Sequence, residues 1–360
     1  MSQTHVKNIF FFFGIVAVVI MLFTFDVSFA ELWDYIRQAG YWLLAILVLW
    51  GVLYMLNAWA WRVIIRGSGP CPVGYGYLLK LTVSGFALNY TTPIGLLGGE
   101  PYKIMEMTKH IGVQRATSSV VLFAMMHVFA HFCFWTTSIV VYLLLAAMGL
   151  LSLNIGMGIV LALATAFCGG GIYLFIKGYK NGMVVKLLHF IGKIPGLKNW
   201  SSRFEREHHE DLVKIDRQIA ELHSQERRTF YKSLLIEYVG RISQSLEIMF
   251  MLILFGIDGK LCMMYNVQFT MYNPQSSIFN LQFLIYSLLF LYSFLILSFT
   301  SLFANILGFL PLQLGGREGG FALSVTQLGM TGGVGLFISI ICRVRELFWA
   351  VVGLALMRVK

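Results

Sequence analysis

The chain has 360 residues, of which 58% are hydrophobic and 12% are charged, and its mean hydropathy is +0.75. These values exclude a soluble globular protein and predict one polytopic membrane domain. The formal net charge of +10 does not indicate a nucleic-acid partner, because 12 of the 27 Lys and Arg residues lie in one hydrophilic stretch, 177–232. Such clustering is typical of a cytoplasmic loop that faces anionic lipid headgroups.

The apolar runs predict an all-α polytopic membrane protein with about six full crossings, at about 20 residues per crossing. The first run could also be a cleaved signal peptide, but its length of about 17 residues favours a retained helix. The predicted crossings are 8–25, 41–61, 118–148, 157–176, 233–256 and 334–356.

Two further apolar regions, 76–110 and 283–327, are interrupted by segments rich in glycine and proline, at 89–103 and 305–320. Proline and glycine break helices, and broken backbone at membrane depth occurs where it is buried in protein or lines a polar cavity. Paired breaks in two halves of a chain indicate the substrate site of a transporter. The two breaks align at a constant offset, Pro93 with Pro311, Gly98 with Gly316 and Glu100 with Glu318.

The distribution of cations predicts the orientation of the helices. Cations that flank the helices place both termini and the connector 177–232 in the cytoplasm, whereas loops 26–40 and 257–281 carry few cations and are placed outside. The two breaks then enter the membrane as re-entrant hairpins from opposite faces. The sequence therefore predicts two transmembrane halves of inverted topology, 1–176 and 233–360.

The connector contains a segment, 201–230, in which apolar residues recur at helical spacing and charges occupy the other face. This pattern predicts an amphipathic helix. The segment is either a solvated link between the halves or a helix that docks a partner or contacts lipid.

Ionisable side chains inside apolar regions are costly and are therefore candidates for function. Glu100 follows Gly98 and Gly99, so we expect it at a helix N-terminus, where free N–H groups and the helix dipole attract anions. A lipid phosphate would fit there, with Lys103 one turn further on. The alternative is that Glu100 only caps the helix.

The second break supplies Arg317 and Glu318, which either bind a phosphate or neutralise each other as a local pair. Arg343 and Glu346 are three residues apart on the last helix, so they share a face and can pair. Arg343 is expected near mid-membrane, and both a substrate contact and a structural ion pair remain open. The complete candidate substrate site comprises Asn89, Pro93, Gly98, Gly99, Glu100, Lys103, Gly315, Gly316, Arg317, Glu318, Arg343 and Glu346.

His127 and His131 have the i, i+4 spacing of metal ligands on a helix, but no H-E-x-x-H pattern and no cysteine cluster accompanies them. The pair therefore favours hydrogen bonding between helices over a metal site. Glu237 and Arg241, one turn apart on a later helix, are expected to pair or to extend to the interface. The chain contains no phosphate-binding loop and no dinucleotide motif, so the sequence indicates no metal, no cofactor and no ATP hydrolysis.

The first break resembles the signature of the lysylphosphatidylglycerol synthase transmembrane region, a flippase-like family of integral membrane proteins. The residues that carry this resemblance are Asn89, Thr92, Pro93, Gly98, Gly99, Glu100, Pro101, Tyr102 and Lys103. The second break is similar to a looser motif of the family through Pro311, Gly315, Gly316 and Glu318, and Arg343 resembles an arginine of the last helices. It departs from the family at Gln313 and Arg317, where small residues are more usual.

The resemblance implies a module of the bacterial inner membrane whose partners are membrane lipids and whose substrate has an anionic headgroup. It would move an anionic or aminoacylated phospholipid, or a polyprenyl-phosphate-linked lipid, between leaflets. Because the chain stops at Lys360, directly after the last helix, we expect a transporter that lacks the family's soluble synthase domain. Movement could be passive or coupled to protons through Glu100 or Glu318.

Two other functions remain open at the level of sequence. One is an enzyme of lipid-phosphate chemistry in which Glu100 and Glu318 act as acid and base. The other is a non-catalytic membrane scaffold that docks partners through the segment 201–230.

Overall fold

A computed structural model of the protein describes residues 29–91, 98–180, 227–257, 278–306 and 316–359, together with Phe12, Glu210 and Val213. In these ranges every regular element is a helix, and the chain is an all-α polytopic membrane protein, as predicted. The predicted helix 8–25 and the amphipathic segment 201–230 lie almost entirely outside the described residues. The helices are α1 (Phe29–Ala39), α2 (Tyr41–Gly67), α3 (Tyr75–Thr91), α4 (Gly99–Ile111), α5 (Val113–Ala147), α6 (Ile155–Lys180), α7 (Arg227–Ser243), α8 (Ser245–Leu254), α9 (Ile278–Ile306), α10 (Gly316–Gln327) and α11 (Gly332–Leu356).

Four of the described helices are long and apolar enough to cross a bilayer. The spans in α2, α5 and α6 confirm the predicted crossings at 41–61, 118–148 and 157–176. The predicted crossings at 233–256 and 334–356 are helical, but each has three charged residues within its apolar sequence. The four apolar spans are Tyr41–Gly67, Val113–Ala147, Ile155–Lys177 and Gln282–Ile306.

Two features differ from the predicted boundaries. The loop predicted at 26–40 contains helix α1, in which Glu31 in the first turn and Arg37 in the last turn complement the helix dipole. The ring of Tyr35 packs edge-on against Phe337 at 5.7 Å, which holds α1 on the bundle. The single helix predicted at 233–256 is divided into α7 and α8 at Gln244, in a stretch that contains the glycine and serine residues often found at helix kinks.

The core consists of two clusters of buried apolar side chains. One gathers around residues of α8, α9 and α11 and the other around residues of α2, α3 and α5, for example Trp61, Leu81 and Met126. Helix α6 contributes many exposed apolar side chains, including Leu163 and Leu174. A helix with apolar side chains on its exposed face is suited to contact with lipid.

The first interrupted region folds as an antiparallel pair of helices, α3 and α4, joined by residues 92–97, which lie outside the described residues. A Cβ atom on Gly99 would overlap the carbonyl oxygen of Gly85, so the two helices touch backbone to backbone near the break. Further from the break, the Tyr77 hydroxyl donates a hydrogen bond of 3.0 Å to Glu106. The region is therefore a closed helical hairpin.

Helix α3 also packs antiparallel to α11. The Ser84 hydroxyl donates to the carbonyl oxygen of Gly353 at 2.9 Å, and Lys80 donates to the carbonyl oxygen of Val359. A Cβ atom on Gly353 would lie 2.5 Å from the carbonyl oxygen of Val83. Helix α3 is thus enclosed between α4 on one side and α11 on the other, with no side chain between the backbones at these points.

The second interrupted region consists of α9 and α10, separated by residues 307–315 outside the described ranges. Helix α9 is itself long enough to cross a bilayer, whereas α10 has 12 residues. A Cβ atom on Gly320 would lie 3.2 Å from Thr300 Cγ2, and one on Gly335 would lie 2.7 Å from the backbone nitrogen of Ala322. Helix α10 therefore packs between α9 and α11, and its first turn faces the middle of α11.

Candidate functional site

The tip of the first hairpin is closed by Asn89 in the last turn of α3. Its Oδ1 accepts a hydrogen bond of 2.7 Å from the backbone N–H of Gly99, and its Nδ2 donates one of 3.1 Å to Glu100 Oε1. Gly98 precedes α4 and has no side chain that could cap the helix. The cap for the first turn of α4 therefore comes from Asn89, across the break, and not from Glu100.

Glu100 lies in the first turn of α4, as the sequence predicts, and forms an ion pair with Lys103. The Lys103 Nζ atom is 3.2 Å from both carboxylate oxygens. Lys103 is only 4% exposed, and its ammonium group lies 5.2 Å from the ring centroid of Phe123 and 5.9 Å from that of Trp61. A carboxylate and two aromatic faces thus hold a buried positive charge at this break.

The second break does not form the local pair that was one of the alternatives for Arg317 and Glu318. Arg317 Nη1 instead donates to Glu346 Oε1 at 2.5 Å, and Arg343 Nε donates to Glu318 Oε1 at 2.7 Å. Both ion pairs join the first turn of α10 to the middle of α11. The first residues of a broken helix are therefore attached to a continuous one through charge-assisted hydrogen bonds.

The ion pair of Arg343 with Glu346 along α11, one of the alternatives for Arg343, is also not formed. Glu346 accepts a further hydrogen bond of 3.2 Å from Arg345, which in turn binds both carboxylate oxygens of Glu247 at 3.0 and 3.1 Å. The indole of Trp50 donates to Glu247 at 2.9 Å, and the Arg345 guanidinium stands 3.7 Å from the Trp50 ring centroid. A buried charged network therefore extends from α10 through α11 to α8 and α2.

Sequence reasoning did not find the partners in this network, in which Glu247 and Arg345 are charged residues within apolar helices. The charge inside an apolar helix was the available signal. Trp50 gave no signal, because a tryptophan in an apolar run is usually a packing or interface residue.

The two breaks approach each other at α11. Tyr90, which follows Asn89, lies close enough to Glu346, Arg317 and Arg343 to interact with them electrostatically. Within the described part of the chain, Glu346 Oε2 and Glu318 Oε2 are buried and have no hydrogen-bond partner. The site thus contains buried acceptors that are not fully used, beside arginines that are held in pairs.

The remaining predicted site residues contribute backbone. Gly98, Gly99 and Gly316 are buried at the starts of α4 and α10, where they allow close packing. Pro93 and Gly315 lie outside the described residues. Among the residues that the structure describes, no group of His, Cys, Asp or Glu side chains is arranged to hold a metal ion.

Comparison with protein families matches residues 10–273 to the family model described as lysylphosphatidylglycerol synthase TM region. The matched residues include the whole first break and end before the second. No curated protein and no solved structure matches the chain.

Proposed function

This chain belongs to the family of the lysylphosphatidylglycerol synthase transmembrane region, and from that premise we propose that it moves a charged lipid between the leaflets of a bilayer. The lipid is an anionic or aminoacylated phospholipid, or a polyprenyl-phosphate-linked lipid. One observation carries the proposal: each of two helix interruptions, far apart in sequence, is followed by a helix whose first turn holds ion pairs inside an apolar bundle, and Tyr90 beside the first interacts with the charges at the second. Broken helices that meet around charged side chains are the usual construction of a carrier's substrate site.

The ion pairs at the two breaks suit a lipid headgroup that takes the place of one partner in a pair. Three cations (Lys103, Arg317 and Arg343) face three carboxylates (Glu100, Glu318 and Glu346) in the described structure. A phosphate entering the cluster would replace a carboxylate on an arginine, and the released carboxylate would accept an amine or another donor of the headgroup. Such an exchange avoids leaving a buried charge without a partner, which is strongly unfavourable.

The ion pairs also bear on the enzyme alternative. Glu100 and Glu318, the two carboxylates that an acid–base mechanism would use, are each in contact with a cation. An arrangement of cation and carboxylate pairs supports the binding of charge, because it presents both signs to a headgroup. We therefore favour a carrier over an enzyme.

The proposed orientation places both termini in the cytoplasm of a bacterial cell, with the hairpin α3–α4 entering from that side. Cationic side chains of several helices support this placement, because they gather at one end of the bundle. Arg115 donates to the carbonyl oxygen of Pro70 at 3.2 Å, Lys232 lies 5.8 Å from the ring centroid of Trp59, and Lys80 contacts the C-terminal end of α11. An end rich in cations is the cytoplasmic end under the positive-inside rule.

The test is lipid movement in proteoliposomes that contain the full chain. Fluorescent lipids with phosphatidylglycerol, lysylphosphatidylglycerol and phosphatidylcholine headgroups, and a polyprenyl phosphate, would be followed from one leaflet to the other. We expect headgroup-selective movement by the wild type and its loss in Lys103→Gln and Glu318→Gln. No movement of any of these lipids by the wild type would overturn the proposal.

The matched control is Lys109→Gln. Lys109 pairs with Glu106 at 2.9 Å with the same i, i+3 spacing on the same helix as Lys103 and Glu100, but its side chain is 38% exposed and lies away from the break. We expect this variant to move lipid at the wild-type rate. Equal losses in Lys103→Gln and Lys109→Gln would point to a general effect on α4 and would count against a site at the break.

A further inference from the structure

A second polar cluster lies between α5 and α7, outside the charged network at the two breaks. His127 and His131 stand one turn apart on α5, and their rings are 5.4 Å apart. Glu237 and Arg241 stand one turn apart on α7 and face them. Glu237 Oε2 is 2.7 Å from His127 Nδ1, and Arg241 contacts His127 Nε2. The proposed carrier cycle makes no use of these four side chains.

The contacts favour one protonation state of His127, although Arg241 Nη2 also lies 3.4 Å from its Nδ1 atom. A guanidinium group has only hydrogen-bond donors, so the ring nitrogen that faces Arg241 must be the acceptor. The Nε2 atom is therefore without a proton, and the neutral ring carries its proton on Nδ1, from which it donates to Glu237. His127 is thus held between an acceptor on one side and a positively charged donor on the other.

A second proton on His127 would be incompatible with this arrangement. It would place an N–H on Nε2 directly against the N–H groups of Arg241 and would set two positive charges side by side. The bond to Glu237 would become charge-assisted and would persist. Protonation would therefore keep His127 on Glu237 and displace Arg241.

The cluster contains partners for the displaced arginine. Arg241 already donates from Nη1 to Gln244 Oε1 at 3.1 Å, at the junction of α7 and α8. In the described structure Glu237 Oε1 and His131 Nδ1 are buried and have no hydrogen-bond partner. These two atoms supply an acceptor for the guanidinium and a second acceptor for a proton.

The cluster is linked to the first break through Phe123. The Phe123 and His127 rings are 6.3 Å apart, and Phe123 also contacts the ammonium group of Lys103, which pairs with Glu100. The charged and titratable groups that act on His127 are Glu237 and Arg241 from α7, Lys103 from α4 and His131 from α5 itself. A positive charge added at His127 would repel Lys103 and weaken its hold at the break.

We propose that His127, His131, Glu237 and Arg241 form a proton-binding site that is separate from the headgroup site, and that proton uptake by His127 releases Arg241. The proton is the ligand, and histidine is the side chain whose charge changes most readily near neutral pH. The consequence for transport rests on the proposed carrier function: proton uptake at this site changes the rate of lipid movement through Lys103. The binding of the proton and the release of Arg241 do not depend on that function.

The first test uses the full chain in lipid nanodiscs, with ¹⁵N-labelled histidine and arginine followed by nuclear magnetic resonance. As the pH is lowered from about 8 to about 4, we expect the His127 signal to pass from the neutral to the protonated form. The Arg241 signal should shift at the same midpoint, and it should stay constant in His127→Gln. A His127 ring that remains neutral over this range, or that titrates while Arg241 is unchanged, would overturn the proposal.

Two further variants separate the site from a loss of folding. Glu237→Gln retains the size of the side chain and removes the charge that holds the protonated ring, so the midpoint of His127 should move to lower pH. His110→Gln is the matched control, because His110 lies at the exposed C-terminal end of α4. It should leave the titrations of His127 and Arg241 unchanged.

The second test measures lipid movement in proteoliposomes against pH. We expect the wild-type rate to change several-fold as the pH is lowered from about 8 to about 4 and the rate of His127→Gln to be flat. If the wild type moves lipid and His127→Gln has the same profile, the link to transport is refuted and the carrier function stands. If the wild type moves no lipid at any pH, the carrier function fails, and the titration of His127 and Arg241 still decides whether the proton site exists.

Discussion

The two breaks resemble each other in sequence but are held together in different ways. At the first, Asn89, Glu100 and Lys103 bind one another within a single hairpin. At the second, Arg317 and Glu318 take their partners from α11, 29 and 25 residues further along the chain. A movement of α10 relative to α11 would therefore break the ion pairs at the second break and leave those at the first break intact. The ion pairs at the second break thus depend on the arrangement of two helices, and those at the first do not.

The comparison predicts that Glu346→Gln has the largest effect on stability. This change removes the partner of Arg317 and one of the partners of Arg345, and leaves a buried guanidinium without a carboxylate. Loss of one member of a buried ion pair costs about 3–5 kcal/mol. Unfolding of the purified protein in detergent by urea or heat would measure the loss. A variant as stable as the wild type would show that the second break does not depend on α11.

Adding one methyl group at the first break, in Gly99→Ala, should destabilise the protein less than Glu346→Gln does. The new Cβ atom in Gly99→Ala overlaps the backbone of Gly85, so the hairpin must open, at a cost of about 1–3 kcal/mol. Gly76→Ala on α3 is the control, since a Cβ atom there meets nothing within 4 Å. Replacing a helical glycine in open space is expected to stabilise by about 0.5–1 kcal/mol. Opposite signs for the two variants in the same unfolding assay would confirm backbone contact in the hairpin.

The smallest effect is expected for Asn89→Ala. This change removes the cap that Asn89 provides to the N–H of Gly99, and loss of a side-chain cap typically costs about 1 kcal/mol. Because the pair of Glu100 and Lys103 remains, the first break should keep its charge. Hydrogen–deuterium exchange would locate the change: faster exchange confined to the first turn of α4 is expected. Faster exchange throughout α10 would contradict the independence of the two breaks.

The features that sequence reasoning predicted correctly are local ones. The apolar spans of α2, α5 and α6 follow from composition. The position of Glu100 in the first turn of a helix follows from the two glycines before it. Each of these depends on side chains within a few residues of one another, where helical spacing and the conformational limits of glycine and proline decide the outcome.

The partners of the charged residues could not be predicted in the same way. Arg317 and Glu318 are adjacent, and Arg343 and Glu346 share a face, so local spacing allowed two pairs that do not form. The pairs that do form depend on how α10 docks on α11, which is set by Gly335 against the backbone of Ala322. Docking of this kind depends on packing over the whole bundle. For the same reason, the sequence offered hydrogen bonding between helices as a role for His127 but gave no means of naming Glu237 as its partner.

The close contacts of helix α3 with its neighbours α4 and α11 have a mechanical consequence. Gly99 on one side and Gly353 on the other bring three backbones into direct contact, and Lys80 ties the start of α3 to the end of α11. Closely packed backbones cannot yield by rotating a side chain, and packed interiors transmit strain. A displacement applied where α11 ends is therefore expected to move α3 as a unit, including Tyr90 in its last turn, which lies near the arginines of the other break.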